Sequence, residues 1–147
     1  MNCSEGADPE SIRRTSSWKR TKRKRILVID DDVDIRVLLW DRLEAMGFEV
    51  VTESNSHAGL SRIELDARRA PFDGVLLELF LPVLDGIAVL EDLQMRHPEI
   101  PVIVMSTAIH SSAFQGAIES GASDCIAKPF AADVFANKCE RVFLKKP

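Results

Sequence analysis

Three apolar runs, Ile26-Leu27-Val28-Ile29, Val75-Leu76-Leu77 and Ile100 to Met105, constrain this chain more than any other feature. Each has the length of a strand and is too short for a buried helix. None alternates with polar residues, so each strand needs cover on both of its faces. The segments between them supply that cover. Ile35, Leu38, Leu39, Leu43 and Met46 recur at helical spacing and end at Gly47, a suitable C-terminal glycine. Phe48 to Thr52 reads as a short strand. Ala58, Leu60, Ile63 and Leu65 mark a second helix that Ser54, Asn55 or Ser56 can cap. Residues 73–78 form the central strand.

Ile87, Val89, Leu90, Leu93 and Met95 follow at helical spacing and stop before His97-Pro98. A fourth helix spans about Ser111 to Ser120. Asp124 to Ala127 is a fifth strand, ended by Lys128-Pro129-Phe130. A last helix runs from about Ala132 to Leu144, with Val134, Phe135, Val142 and Phe143 as its apolar positions. Strand-then-helix units in this succession predict an α/β domain: one doubly wound parallel sheet of five strands with right-handed crossovers.

The folded domain is expected over 26–147, and a different composition precedes it. The net charge of −4 is unevenly divided: residues 1–25 carry about +5 and the remainder about −9. The first 25 residues lack an apolar period and are expected to be disordered. Their block Lys19-Arg20-Thr21-Lys22-Arg23-Lys24-Arg25 suits nucleic acid, an acidic membrane, an acidic partner or an import receptor, and equally a solvated tail. Arg13-Arg14-Thr15-Ser16-Ser17 has the look of a basophilic kinase site, a pattern that chance also produces. Cys3, Cys125 and Cys139 are odd in number and lack metal-type spacing, which reads as free thiols in a reducing cytoplasm. No apolar run approaches the ~18 residues of a membrane span. The histidines His57, His97 and His110 lack mutual metal spacing and read as surface residues.

Four strand ends carry polar groups: Asp30-Asp31, Glu78, Ser106-Thr107 and Lys128. One such group alone is what many loops begin with. In a parallel sheet, however, all four meet at the carboxyl edge, where open α/β sheets bind ligands. Carboxylates gathered there repel unless a cation neutralises them. Mg²⁺ suits the task, because it takes only one or two protein carboxylates and fills its shell with water. A lysine and a hydroxyl beside such a pocket suit an anionic oxygen, as in phosphoryl transfer. Asp32 and Asp34 read instead as the start of the first helix.

On these residues the chain resembles the receiver domains of two-component response regulators. The resemblance covers about residues 25–146. Ile26-Leu27-Val28-Ile29-Asp30-Asp31-Asp32 is similar to the family's first strand and acidic pair. Leu81-Pro82-Val83-Leu84-Asp85-Gly86 matches its proline and glycine loop, and Pro101-Val102-Ile103-Val104-Met105-Ser106 its fourth strand. Gly121-Ala122-Ser123-Asp124 and Lys128-Pro129-Phe130 match the approach to the fifth strand and its end. The resemblance implies a flavodoxin-like (βα)5 fold with strand order 2-1-3-4-5 and a cis Lys128-Pro129 bond. It implies that Asp30, Asp31 and the backbone carbonyl of Phe80 hold Mg²⁺, and that Ser106 and Lys128 contact the phosphoryl group.

Two positions depart from the family pattern. Glu78 stands where the phosphoaccepting aspartate is usual, with a side chain about 1.5 Å longer. Misplacement on that scale costs ~10²-fold or more in a positioned reaction. Cys125 stands at the switch position, where an aromatic ring is usual. The expectation is a degenerate, stand-alone receiver in phosphorelay signalling, cytoplasmic and not an enzyme, working as a protein-binding module. Its partner would be a histidine kinase or downstream regulator, met through the surface of helix four, strand five and helix five, with self-association as a second route. The alternatives are a Mg²⁺-dependent receiver that still accepts a phosphoryl group on Glu78, and a nucleic-acid-associated regulator using the basic tail. Glu78 is expected at the solvent edge of its strand, or with its longer arm reaching past the metal toward Lys128 as an internal ion pair that leaves the cation under-coordinated.

Overall fold

A computed structural model describes residues 23–107 and 111–144. Five strands alternate with five helices: β1 (Arg25–Ile29), α1 (Val33–Ala45), β2 (Glu49–Glu53), α2 (Ser56–Asp66), β3 (Gly74–Glu78), α3 (Gly86–Arg96), β4 (Val102–Thr107), α4 (Ser111–Glu119), β5 (Asp124–Lys128) and α5 (Ala132–Phe143). The strands form one parallel sheet in the order β2-β1-β3-β4-β5. This is the doubly wound, flavodoxin-like arrangement expected from the sequence. β3 lies at the centre and is buried along its whole length, as its unbroken apolar run requires.

Side chains alternate between the two faces of the sheet, and each face has its own core. On one, Leu27, Val75, Leu77, Val102 and Val104 pack against α2, α3 and α4 through Ile63, Val89, Leu90, Leu93 and Ala117. On the other, Ile26, Val28, Leu76 and Ile103 meet α1 and α5 through Leu39, Leu43, Phe135 and Phe143. Three helices start on side-chain caps that free their first amides from needing water: Asp32 for α1, Asn55 for α2 and Asp85 for α3.

The first strand begins at Arg25, inside the segment expected to be tail. The reason is that its guanidinium is held within the fold. It pairs with Glu49 at 3.0 Å and Asp66 at 3.3 Å, donates to the Ala70 carbonyl and lies over the Phe72 ring. The rest of the basic block, Lys19 to Lys22, and the kinase-like stretch lie outside the described residues. The helical periods also overreach at their ends, since Leu65 and Met95 are exposed. Their helices bury narrower stripes than the spacing suggests. His97 is half-buried and bonded to Glu64 at 2.6 Å, contrary to the surface reading, and His110 lies outside the described residues. Among the described residues no helix is long and apolar enough to cross a membrane.

Gly86 opens α3 where the chain folds back onto β3. Its N–H donates to the Leu79 carbonyl at 2.7 Å, and a Cβ there would lie 2.6 Å from both the Glu78 carbonyl oxygen and Leu79 Cα. Backbone cannot yield as a flexible side chain does. Gly86→Ala should therefore lower stability by about 1–3 kcal/mol. Gly116, inside α4, meets nothing within 4 Å. Gly116→Ala should raise stability by about 0.5–1 kcal/mol through helix propensity. Urea denaturation of the two variants checks both signs.

Asp124 at the start of β5 fastens α5 to the sheet, accepting from Lys138 at 2.9 Å and Arg141 at 2.6 Å. Partial burial raises its carboxyl pKa, but the bonds from Lys138, the Cys125 amide and Arg141 outweigh that and leave it below the ordinary value. A carboxylate with a depressed folded pKa stabilises above its unfolded pKa, and that stabilisation fades as pH falls through the folded value. Asp124→Asn should thus be less stable than the parent at pH 7. The gap should close as pH drops below about 4, the usual aspartate range, as read by urea denaturation at both pH values.

Candidate functional site

The carboxyl edge of the sheet gathers most of the polar groups singled out in the sequence. β1 ends one residue before Asp30, β3 ends at Glu78, and β5 ends at Lys128. Lys128 Nζ is bonded to Asp30 Oδ2 at 2.8 Å and also to Glu78 Oε1. One ammonium therefore joins the ends of the first, third and fifth strands. The peptide bond after it, Lys128-Pro129, is cis.

Both carboxylates are buried. Asp30 is 1% exposed and Glu78 7%, so Glu78 is not at a solvent edge as expected. Its side chain folds back over the strand end, and Oε2 accepts the Phe80 N–H at 3.0 Å. The second oxygen of Asp30 accepts the Asp32 N–H at 2.9 Å. Every carboxylate oxygen in this pair is thus engaged within the chain. Burial lowers the Lys128 pKa, but the bonds and charges of Asp30 and Glu78 outweigh it, so the ammonium is held above its ordinary value.

The other expected residues are placed differently. Ser106 is buried at the end of β4, one step beyond Met105, which pairs in register with Glu78. Asp31 is exposed beside Asp30 and outside the ion-paired group. Phe80 is exposed in the loop after β3 and contributes its main chain. Cys125 lies away from the pocket, half-buried on β5, its thiol 3.8 Å from the Phe114 carbonyl of α4. Burial and the nearby Asp124 carboxylate push that thiol pKa up, which makes it a poor nucleophile. Cys139 is pushed up to about 12 by deeper burial and by Glu140.

Two supporting contacts had no signal in the sequence. Arg36, one turn into α1, donates to the Asp30 carbonyl at 2.8 Å. Ser56, which opens α2, donates to the Leu84 carbonyl and pins the loop that follows β3. In that loop Val83 has φ +74, a left-handed conformation rarely taken by a β-branched residue.

Among the described residues, no group of three or more His, Cys, Asp and Glu side chains is arranged to hold a metal ion. Mg²⁺ does not need three, and Asp30, Asp31 and a loop carbonyl are adequate hard donors for it. What opposes it is charge, because Lys128 already offsets one of the two buried carboxylate charges. The donor set fits weak binding of a cation and not a preformed cage.

The response regulator receiver domain model matches residues 26–140. Chemotaxis protein CheY of Bacillus subtilis is 35% identical over 109 residues, which span 74% of this chain and 88% of that protein. DNA-binding transcriptional regulator NtrC of Escherichia coli is 34% identical over 116 residues, 79% of this chain and 24% of NtrC. The crystal structure of the receiver domain of NtrX from Brucella abortus has a TM-score of 0.75 and 37% identity, covering 82% of this chain and 99% of that one. The chain spans half or less of the length of the curated transcriptional regulators it matches. With a family match over most of its length and a sheet edge that joins Asp30, Glu78 and Lys128, the chain belongs to the response regulator receiver domains of two-component signalling.

Proposed function

We propose that this receiver works as a cytoplasmic protein-binding module in which Glu78 takes the place of a phosphorylated acceptor. One observation carries the reading: the Glu78 carboxylate is bonded to Lys128, the residue that by resemblance contacts the phosphoryl group. The longer arm sets a permanent negative charge against the lysine that would otherwise await a transient one. With Oε1 on Lys128 and Oε2 on the Phe80 amide, neither oxygen is poised to attack phosphorus. Ser106 retains the hydroxyl of the family pattern, but no phosphoryl group is required to fill the pocket.

The partner is a histidine kinase or a downstream regulator, and α4, β5 and α5 offer the surface for it. Cys125 in place of an aromatic ring supports a face held in one state, since a small half-buried thiol has little to swing. A metal ion, when bound, supplies further neutralisation beside Asp30. The residues that would hold it are Asp30, Asp31 and the Phe80 carbonyl, with Mg²⁺ the suited cation, bound weakly against Lys128.

The reading turns on Glu78. Treated with acetyl phosphate and Mg²⁺, the parent chain should show no mass adduct, and Glu78→Asp should gain one, because the shorter acid leaves room above Ser106 and Lys128. Without phosphate donor, both Glu78→Asp and Glu78→Gln should lose partner binding. A stable adduct on Glu78 itself would replace this reading with that of a working phosphoacceptor. Undiminished partner binding by Glu78→Gln would mean the charge plays no part.

Lys128 gives a second test. Glu78→Gln leaves one ammonium facing one carboxylate, a balanced pair. Lys128→Met leaves two buried carboxylates facing each other, which should cost about 3–5 kcal/mol. Mg²⁺ should recover part of that loss and should bind this variant more tightly than the parent. Thermal unfolding with and without Mg²⁺ measures both, and an equal Mg²⁺ response in the two proteins would show that Lys128 and the cation do not compete.

A further inference from the structure

A stripe of exposed apolar side chains runs along α1, away from the acid pocket. Val33 and Val37 are each 57% exposed and Trp40 is 41% exposed, while Leu39 and Leu43 on the inner side of the same helix are fully buried. Residues 33, 37 and 40 follow one another at the spacing of a helix seam. Beside them runs a shallow groove of about 400 Å³ lined by Val33, Arg36, Val37, Trp40, Asp41 and Thr52. An apolar seam of this kind fits another helix.

The flanks of the seam say which helix. In heptad terms Val33 and Trp40 take d positions and Val37 an a position. Arg36 then falls at g and Asp41 at e. Two parallel helices related by a two-fold axis bring each g residue against the e residue five positions on in the partner. Arg36 and Asp41 are separated by that interval and carry opposite charges. Asp41 is exposed and has no ion pair among the described residues. Arg36 spends one nitrogen on the Asp30 carbonyl and has further donors in its fork. A second copy of α1 therefore offers what this seam needs: Val against Val, Trp against Trp, and two reciprocal Arg36–Asp41 pairs. Such an isologous contact closes on itself.

We infer that the chain self-associates as a parallel two-fold dimer through α1, with Val33, Val37 and Trp40 in the seam and Arg36 and Asp41 pairing across it. The contact lies beside Asp31 and, through Arg36, touches the main chain at Asp30. It does not depend on what Glu78 does, nor on the α4–β5–α5 face. The seam is short, so the dimer is weak and forms at high local concentration.

Sedimentation equilibrium on the full chain, from micromolar to millimolar, tests this. The parent should show a reversible monomer–dimer equilibrium, and Trp40→Glu or Val37→Glu, both at exposed positions, should be monomeric throughout. Asp41→Arg and Arg36→Asp should each weaken the dimer about tenfold or more, roughly 1.4 kcal/mol. An equimolar mixture of those two should recover it, because each charge then meets its opposite. Circular dichroism verifies that every variant is folded. If Arg36→Asp is not, the Asp41→Arg and Trp40→Glu results decide. A parent that stays monomeric, or a dimer that Trp40→Glu leaves intact, overturns the inference. So does a mixture of folded single variants that stays monomeric.

Discussion

One ammonium against two buried carboxylates is the interaction on which this molecule turns. Asp30 and Glu78 come from different strands and lie close enough to share Lys128 Nζ. Without that cation two buried like charges would face each other uncompensated, which is costly. With it the cluster retains one net negative charge. The arrangement demands that the ends of β1, β3 and β5 share one edge, and the parallel sheet with helices on both faces supplies that edge. The two apolar cores exist, in this sense, to hold three charged side chains within hydrogen-bonding distance.

The loops around the cluster are held more firmly than loops need to be. Gly86 brings the chain back against Leu79, Ser56 anchors Leu84, and Arg36 steadies the turn after β1. These contacts come from α1, α2 and α3, so the geometry of the pocket is tied to the packing of three helices. A pocket braced in this way inherits the rigidity of the sheet's helical cover.

Much of this was legible in the residues. Continuous apolar runs show strands buried on both faces, and the order of strands and helices shows their parallel pairing. Asp30, Glu78, Ser106 and Lys128 announce themselves because each interrupts an apolar run at its end. Their union follows from topology. The burial of Glu78 does not, since a strand-end acid looks the same in sequence whether it points to water or turns back on a lysine. Arg36 and Ser56 were illegible for a related reason. Their partners are main-chain carbonyls, which every residue possesses, so nothing in composition or spacing singles them out. Met95 and Leu65 mislead in the opposite direction, because apolar spacing marks a face without saying how wide a face the sheet can cover.

Arg25 carries a consequence for the basic block it terminates. Its charge is spent on Glu49, Asp66 and the Phe72 ring, and Arg23 is already shared with Glu44 at 3.4 Å. Any polyanion meeting residues 19–25 would therefore find fewer cations than the six basic residues counted in that stretch. Since each neutralised phosphate releases condensed counterions, the salt dependence of such an encounter would be shallower than composition suggests. A charge enlisted for folding is no longer available for electrostatic attraction at a distance.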